Sequence, residues 1–371
     1  MADVKVLMLG GRRCGKSSIL ASMVKELIDN IALTRFCHIS DTGRGQTNGI
    51  SLDSKKNMLM SFIKDHQRGS HYLVDFNADT EFSTYIFKVK LPSKKGSMSI
   101  EFVDAPGESY DPRSDKNERV CQEMEQADVY IIAVETPYLM EADRGKFENV
   151  NCVLEICKMF DQHAIFKNEW QEKKVIFVPV KCEKWRNQLD EVTRELKRAY
   201  WALMERLKGN SRFSYEVLPV LTAGGISFSE FGAPELLSRA SMGPNEFIKC
   251  SHLGGKRNIY QVRTEDGEYL DDIEDGDKII DNKEYIVSVA PFYSWFKTVG
   301  EYLPWHCDQL ALHILRFLIY KFKKDVDHQI WPAWLTGDLR LNEMKDLLKK
   351  LEESHLIKDG GDGIEHIRKL E

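Results

Sequence analysis

The sequence predicts an α/β fold: a mostly parallel central sheet with one antiparallel edge strand, helices on both faces, a β-rich insertion and a helical C-terminal tail. Three observations predict it. A short apolar run, Val4–Leu9, leads into a glycine-rich loop and then into a helical stretch. Further on, apolar runs at 128–136, 175–180 and 215–221 alternate with charged amphipathic stretches, the order that builds parallel strands joined by helices. Between them, two strand-like runs are separated only by "PSKKGS", too short for a parallel return.

The bulk numbers fit such a fold. A chain of 371 residues, 42% hydrophobic and 30% charged, can bury a large core. A net charge of −6 gives no general attraction to nucleic acid or to an anionic membrane. Eight cysteines in so long a chain do not make a secreted disulfide scaffold, and "MADVKVLML" is no signal peptide, so a cytoplasmic location is expected. The run "LALHILRFLIYKF" (310–322) is too short to span a bilayer and carries Arg316, which predicts a buried helix.

The first element is the strand at Val4–Leu9. After it, Gly10-Gly11-Arg12-Arg13-Cys14-Gly15-Lys16-Ser17 fits G-x-x-x-x-G-K-[ST], and a helix runs from near Lys16 toward Asn30. In that context backbone N–H groups wrap phosphates, and the helix N-terminus faces them with its partial positive charge. Lys16 is then expected to bridge the β- and γ-phosphates, and Ser17 to bind Mg²⁺, with Ser18 beside it in the nucleotide-binding set. The competing reading is a chance match in a Gly-rich turn; the preceding strand, the following helix and the position near the start all weigh against it.

Residues 33–79 carry few strand signals and many Gly, Ser, Asn and Asp, and "SDTGRGQTNGISLDS" is expected to be a long mobile segment. The next strands are 85–91 and 98–104. In the first, Tyr85, Phe87, Val89 and Leu91 alternate with Ile86, Lys88 and Lys90, as in a half-exposed edge strand. The second ends in "FVDAPGE", which places Asp104 at a strand end and Gly107 three residues on. An aspartate there can hold the water shell of Mg²⁺, and a glycine lets a backbone N–H approach the γ-phosphate.

D-x-x-G after an antiparallel hairpin, downstream of G-x-x-x-x-G-K-[ST], resembles the Ras-like P-loop GTPases of the translation-factor-related class. The resemblance spans about 3–224 and a terminal helix at 306–322. It implies a P-loop NTPase fold, GTP and GDP as ligands, Mg²⁺ as cofactor and hydrolysis of GTP. The remaining order agrees: a helix at about 115–126, a strand at 128–136, a helix at about 145–165, a strand at 175–180, a helix at about 189–208 and a strand at 215–221. Where the family has N-K-x-D, this chain has Val180-Lys181-Cys182-Glu183, so Lys181 fits while Val180 and Glu183 depart. Thr222-Ala223-Gly224 stands in the place of the family's small turn against guanine O6. The residue after D-x-x-G orients water in the family; here it is Glu108, a carboxylate that a γ-phosphate repels. The switch threonine for Mg²⁺ is expected at Thr80, with Thr84 the alternative.

Large guanylate-binding proteins carry an arginine inside this loop, directly before x-G-K-S, and Arg13 occupies that position. It is the candidate catalytic finger, with Arg12 second to it; the alternative is that both point to solvent or pair with acidic groups. "ETPYLME" (135–141) and "YLPWHCDQLALHILRFL" (302–318) also resemble bacterial GTPases of the double-GTPase kind.

The expected divisions are a core over 1–224, a β-hairpin insertion over 225–304, a terminal core helix over 305–322 and a tail over 323–371. In the insertion, "NIYQVRTEDGEYL" and "KEYIVSVAPFYSWF" look like β-hairpins. "DDIEDGDKIIDNKE" fails as an EF-hand, because Ile273 sits at the third ligand position and no glutamate at the twelfth. In the tail, Leu341, Met344, Leu347, Leu348 and Leu351 have helical spacing, which suits a docked helix or a small winged-helix-like unit. A protein partner is expected at the insertion or the tail, and nucleic acid is not. The cysteines and histidines have no metal-ligand spacing. Two other functions remain open beside a GTPase switch: an ATPase or kinase on the same core, and a nucleotide-holding scaffold without hydrolysis.

Overall fold

The computed structural model describes residues 4–12, 14–29, 38–41, 57, 60–61, 71–73, 81–90, 97–142, 144–165, 171–232, 259–263, 269–274, 286–288, 293–327, 346–347, 349–350, 353 and 357–368. Its strands, in chain order, are β1 (Val4–Leu9), β2 (His38–Asp41), β3 (His71–Leu73), β4 (Ser83–Lys90), β5 (Ser97–Asp104), β6 (Val129–Glu135), β7 (Lys173–Val180) and β8 (Phe213–Val217). They continue with β9 (Ile226–Gly232), β10 (Ile259–Arg263), β11 (Tyr269–Glu274), β12 (Ile286–Ser288), β13 (Tyr293–Thr298), β14 (Gly360–Gly361) and β15 (Ile364–Arg368). The helices used below are α1 (Lys16–Asp29), α2 (Asn117–Gln126), α3 (Thr136–Glu141), α4 (Arg144–Val150), α5 (Val153–Met159), α6 (Leu189–Ala199), α7 (Trp201–Lys208) and α8 (Cys307–Asp327).

The chain divides into two units. One holds Met1–Lys56, Asp79–Ala223 and Pro304–Glu371; the other holds Asn57–Ala78 and Gly224–Leu303. In the first unit the sheet order is β14-β15-β8-β7-β6-β1-β5-β4-β2. The central run β8-β7-β6-β1-β5 is parallel throughout. β6 and β7 are buried along their whole length, because helices cover both faces of a parallel sheet.

Period-two alternation divides the core. Val4, Val6 and Met8 of β1 pack with Ile19, Leu20 and Met23 of α1 and with Leu310, Ile314 and Leu315 of α8. Leu7 and Leu9 face the other way, toward Val120 and Met124 of α2, Val153 and Ile156 of α5, and Leu203 and Leu207 of α7. The buried run at 310–322 is thus a core helix, α8. Among the described residues, no helix is long and apolar enough to cross a membrane.

The antiparallel edge predicted from the short turn is present. β4 pairs with β5 from Ser83↔Asp104 to Lys90↔Ser97. Tyr85, Phe87 and Val89 are buried while Lys88 and Lys90 are exposed, as the alternation requires. That edge is two strands deep, since β2 pairs outside β4 from within the segment that carries few strand signals. Apart from Ser40 and Asp41, "SDTGRGQTNGISLDS" lies outside the described residues. The opposite edge is antiparallel as well: β15 pairs with β8, and β14 with β15, so the tail ends as a sheet hairpin that its helical spacing did not announce. Leu347 is buried in the core beside α1 and α8, whereas Leu341, Met344, Leu348 and Leu351 lie outside the described residues.

Two expected helices are broken. The stretch 145–165 is α4, then α5, then a π-helical turn at Phe160–Ile165. The interruption has a cause: Asn151 accepts a hydrogen bond from Glu135 N at 2.7 Å and donates to Phe147 O at 3.2 Å, and Cys152 takes φ 51°. The stretch 189–208 breaks at Tyr200, whose buried ring packs edge-on against Phe147 and Phe177. The strand expected at 215–221 is regular only to Val217. Beyond it, Leu218 N and Val220 N still donate to Phe177 O and Pro179 O, both at 2.9 Å.

In the second unit, β10 pairs with β11 as the hairpin predicted for "NIYQVRTEDGEYL". "KEYIVSVAPFYSWF" is not a hairpin: β12 pairs with β10, whereas β13 pairs with β9 and β3. Residues 71–73, within the stretch that carries few strand signals, supply that third strand.

Candidate functional site

β1 ends at Leu9 and α1 begins at Lys16, so the glycine-rich loop bridges a central strand and a helix N-terminus. Gly10 and Gly15 take φ of 143° and 101°, a region where residues with a Cβ are strained. The Lys16 ammonium donates to Gly10 O at 2.9 Å and to Gly11 O at 3.1 Å, and the residue is buried. The Ser17 hydroxyl donates to Asp104 Oδ2 at 2.7 Å. Register explains the meeting, because β5 lies parallel to β1 with Met8 beside Asp104. The strand end therefore brings a carboxylate 87 residues away onto the first turn of α1.

Two glycines are required by close approach. A Cβ on Gly107 would stand 2.5 Å from Arg12 N, so the turn after Asp104 sits on the loop backbone. A Cβ on Gly11 would stand 1.7 Å from Val150 O at the end of α4. Gly11→Ala is expected to lower stability by about 1–3 kcal/mol, since backbone on both sides must shift. Gly209→Ala is the control: its nearest atom lies 3.5 Å from the new methyl, and its φ of −67° suits alanine. It should be neutral or slightly stabilising. Urea denaturation of the two variants checks this, and equal midpoints would contradict it.

Cys14 is buried within the loop, and burial pushes its thiol pKa up, which keeps it neutral. Ser18 follows in the first turn of α1 and is half-buried. Arg12 is exposed. Arg13 and Thr80 lie outside the described residues. Thr84 stands in β4 opposite Val103, next to the Ser83↔Asp104 pair and therefore on the other face from Asp104. Glu108 lies 3.9 Å from Lys116 Nζ, which also pairs with Glu81 at 3.1 Å. The Glu108 Oε2 atom is buried and has no hydrogen-bond partner among the described residues.

A second group of side chains collects at the ends of β6 and β7. Val180 is buried, and its Cγ2 lies 4.0 Å from where a Gly15 Cβ would be. Lys181 takes φ 58° and forms an ion pair with the buried Glu135. Cys182 Sγ meets Thr136 Oγ1 at 3.1 Å, and burial pushes that thiol's pKa up. Glu183 Oε1 accepts from Ala223 N at 3.4 Å, joining the two stretches singled out for base recognition. Ser22 of α1 donates to Thr222 O at 2.9 Å, which fixes that turn against the helix following the loop.

Lys16, Ser17, Asp104 and Gly107 thus surround one loop, and Lys181, Glu183, Thr222 and Ala223 form a second group. Sequence reasoning missed Tyr110, whose hydroxyl contacts Gly10, and Glu135, the partner of Lys181. Glu135 had a signal, an acid closing an otherwise apolar strand; Tyr110 had none. For a metal, the Ser17 hydroxyl and the Asp104 carboxylate offer two hard oxygens side by side. Among the described residues no three His, Cys, Asp or Glu side chains form a metal cluster. In comparisons with known proteins, no family model matches the chain and no curated protein matches it.

Proposed function

We propose that the protein is a Mg²⁺-dependent P-loop GTPase that hydrolyses GTP to GDP and phosphate and acts as a regulatory switch in a bacterial system. The observation that carries this reading is the Ser17–Asp104 contact at the foot of a G-x-x-x-x-G-K-S loop, with Gly107 seated on the same loop. A chance match in a turn would not bring a distant D-x-x-G onto it.

In this reading the loop amides and the start of α1 hold the phosphates. Lys16 exchanges its bonds to Gly10 O and Gly11 O for phosphate oxygens, keeping its charge satisfied. Ser17 and Asp104 fit Mg²⁺, which favours few protein oxygens together with water and phosphate and, when bound, neutralises charge developing on the β- and γ-oxygens. The Gly107 amide faces the terminal phosphoryl group. Glu108 orients the attacking water only if it leaves Lys116. Arg13 lies within the loop and supplies a cation in cis. A protein partner at the insertion or the tail would read the switch.

Base choice falls to Glu183, whose carboxylate accepts from guanine N1–H and N2–H₂, with the Lys181 stem and the Thr222-Ala223 turn beside it. Glu183→Ala is expected to weaken GTP binding by about 1–3 kcal/mol while ATP binding changes little, since adenine presents no matching donor pair. Competition titrations with both nucleotides measure it, and equal losses would show that Glu183 does not read the base.

The second reading, a nucleotide-holding scaffold without hydrolysis, is favoured by one observation, the contact of Glu108 with Lys116. Titration with labelled GTP and ATP, with and without Mg²⁺, followed by phosphate release, separates the readings. Tight GTP binding without turnover would select the scaffold, and no binding of either nucleotide would overturn both.

A further inference from the structure

Tyr110 closes the short 3₁₀ turn Gly107–Tyr110 that follows Asp104. Its ring is buried in the core cluster that contains Leu7, Leu9, Phe147 and Val153. Its hydroxyl holds both polar groups of one loop residue, accepting from Gly10 N at 2.8 Å and donating to Gly10 O at 3.1 Å. Packing alone does not require this, since phenylalanine fills nearly the same volume. Burial pushes the phenol pKa well above its ordinary value, so the proton needed for the second bond is retained.

The same turn is pressed onto the loop. The position of a Cβ on Gly107, 2.5 Å from Arg12 N, puts the Gly107 Cα within about 4 Å of that nitrogen, one C–C bond of ~1.5 Å further. A phosphoryl oxygen lying between the Gly107 amide and the loop would need a hydrogen bond of about 2.9 Å on each side. On the reading of loop 10–17 as the nucleotide site, a terminal phosphoryl group reaching the Gly107 amide would press on this contact, whereas a diphosphate, one group shorter, would not.

We propose that the Tyr110 hydroxyl is a latch which, by tying this turn to Gly10, lowers the site's affinity for a nucleoside triphosphate relative to the diphosphate. The proposal rests on the reading of loop 10–17 as the nucleotide site. Tyr110 touches neither substrate nor cation and acts through Gly10, as a positioning residue. Opening the latch strains or breaks two hydrogen bonds, a loss that only the triphosphate incurs.

The test is Tyr110→Phe, with dissociation constants for GDP and for a non-hydrolysable GTP analogue measured in Mg²⁺ on the full chain. The ratio Kd(GDP)/Kd(analogue) is expected to rise about 3- to 10-fold through tighter analogue binding, with GDP changed less than about twofold. An unchanged ratio, or equal weakening of both ligands, would overturn the latch and leave the hydroxyl as a support for the loop. A second measurement needs no variant fold. In fluorotyrosine-labelled wild type, the Tyr110 ¹⁹F resonance should move with the analogue and not with GDP; identical responses to the two would overturn the proposal. Wild type that binds neither nucleotide overturns the underlying reading and the latch with it. Wild type that binds both, with no shift in the variant, overturns the latch alone.

Discussion

Lys16→Ala is expected to reduce triphosphate affinity by on the order of 10²–10⁴-fold, and Ser17→Ala to remove the Mg²⁺ dependence of binding. In the proposed site the lysine would supply two charged hydrogen bonds to phosphate, each worth about 1.5–3 kcal/mol, which sets the size of the loss. The substitution should leave the fold intact, because among the described residues the Lys16 ammonium bonds to carbonyls of its own loop, Gly10 and Gly11. Ser17→Ala removes the hydroxyl that meets Asp104, so a cation held there loses one of its two protein oxygens. Titration of labelled GTP with and without Mg²⁺, beside a thermal melt of each variant, measures both effects. Undiminished affinity in folded Lys16→Ala and Ser17→Ala proteins would remove loop 10–17 as the nucleotide site, and the proposed function with it.

The geometry of loop 10–17 and its approach to Asp104 were legible in the sequence because local chemistry dictates them. A turn with φ of 143° and 101° wants glycine, and a parallel pairing of β1 with β5 puts Asp104 level with Met8. Both follow from short runs of residues read in order. The antiparallel β4–β5 pair was legible for a similar reason, since six intervening residues allow no crossover.

What the sequence hid depends on contacts between distant residues. Asn151 interrupts a helical run because Glu135 N donates to it from the end of β6, and nothing within 145–165 announces that donor. Tyr200 splits α6 from α7 so that its ring can pack on Phe147 and Phe177, a tertiary demand that overrides helix propensity. The hairpin of β14 and β15 showed in the sequence only as a Gly-rich turn between short apolar pieces, and it becomes a sheet edge where β8 offers a side for pairing. Tyr110 lies 100 residues from the glycine it holds, with no spacing rule between them.

Arg13→Ala is expected to lower kcat by ~10³-fold or more while changing GTP affinity far less, and Arg12→Ala to do less than Arg13→Ala. The size is that of an arginine finger, worth about 10³–10⁵ in rate when supplied to a GTPase site. The asymmetry between kcat and binding follows from where the guanidinium acts. Charge on the transferring phosphoryl group is redistributed in the transition state, and a cation that meets it only there leaves ground-state affinity almost untouched. Glu108 stands directly after D-x-x-G, where the resembling family orients water, and Lys116 Nζ lies 3.9 Å from it. A cation from inside the loop would offset that carboxylate without waiting for an activator. GDP with aluminium fluoride imitates the transferring group, so the Arg13→Ala protein should also form that complex less readily than wild type. Single-turnover hydrolysis and fluoride-complex formation, each compared with binding of a non-hydrolysable analogue, separate a finger from a mere phosphate contact. A variant that hydrolyses GTP within a factor of about two of wild type removes Arg13 from catalysis, and the cation would then have to come from a partner protein.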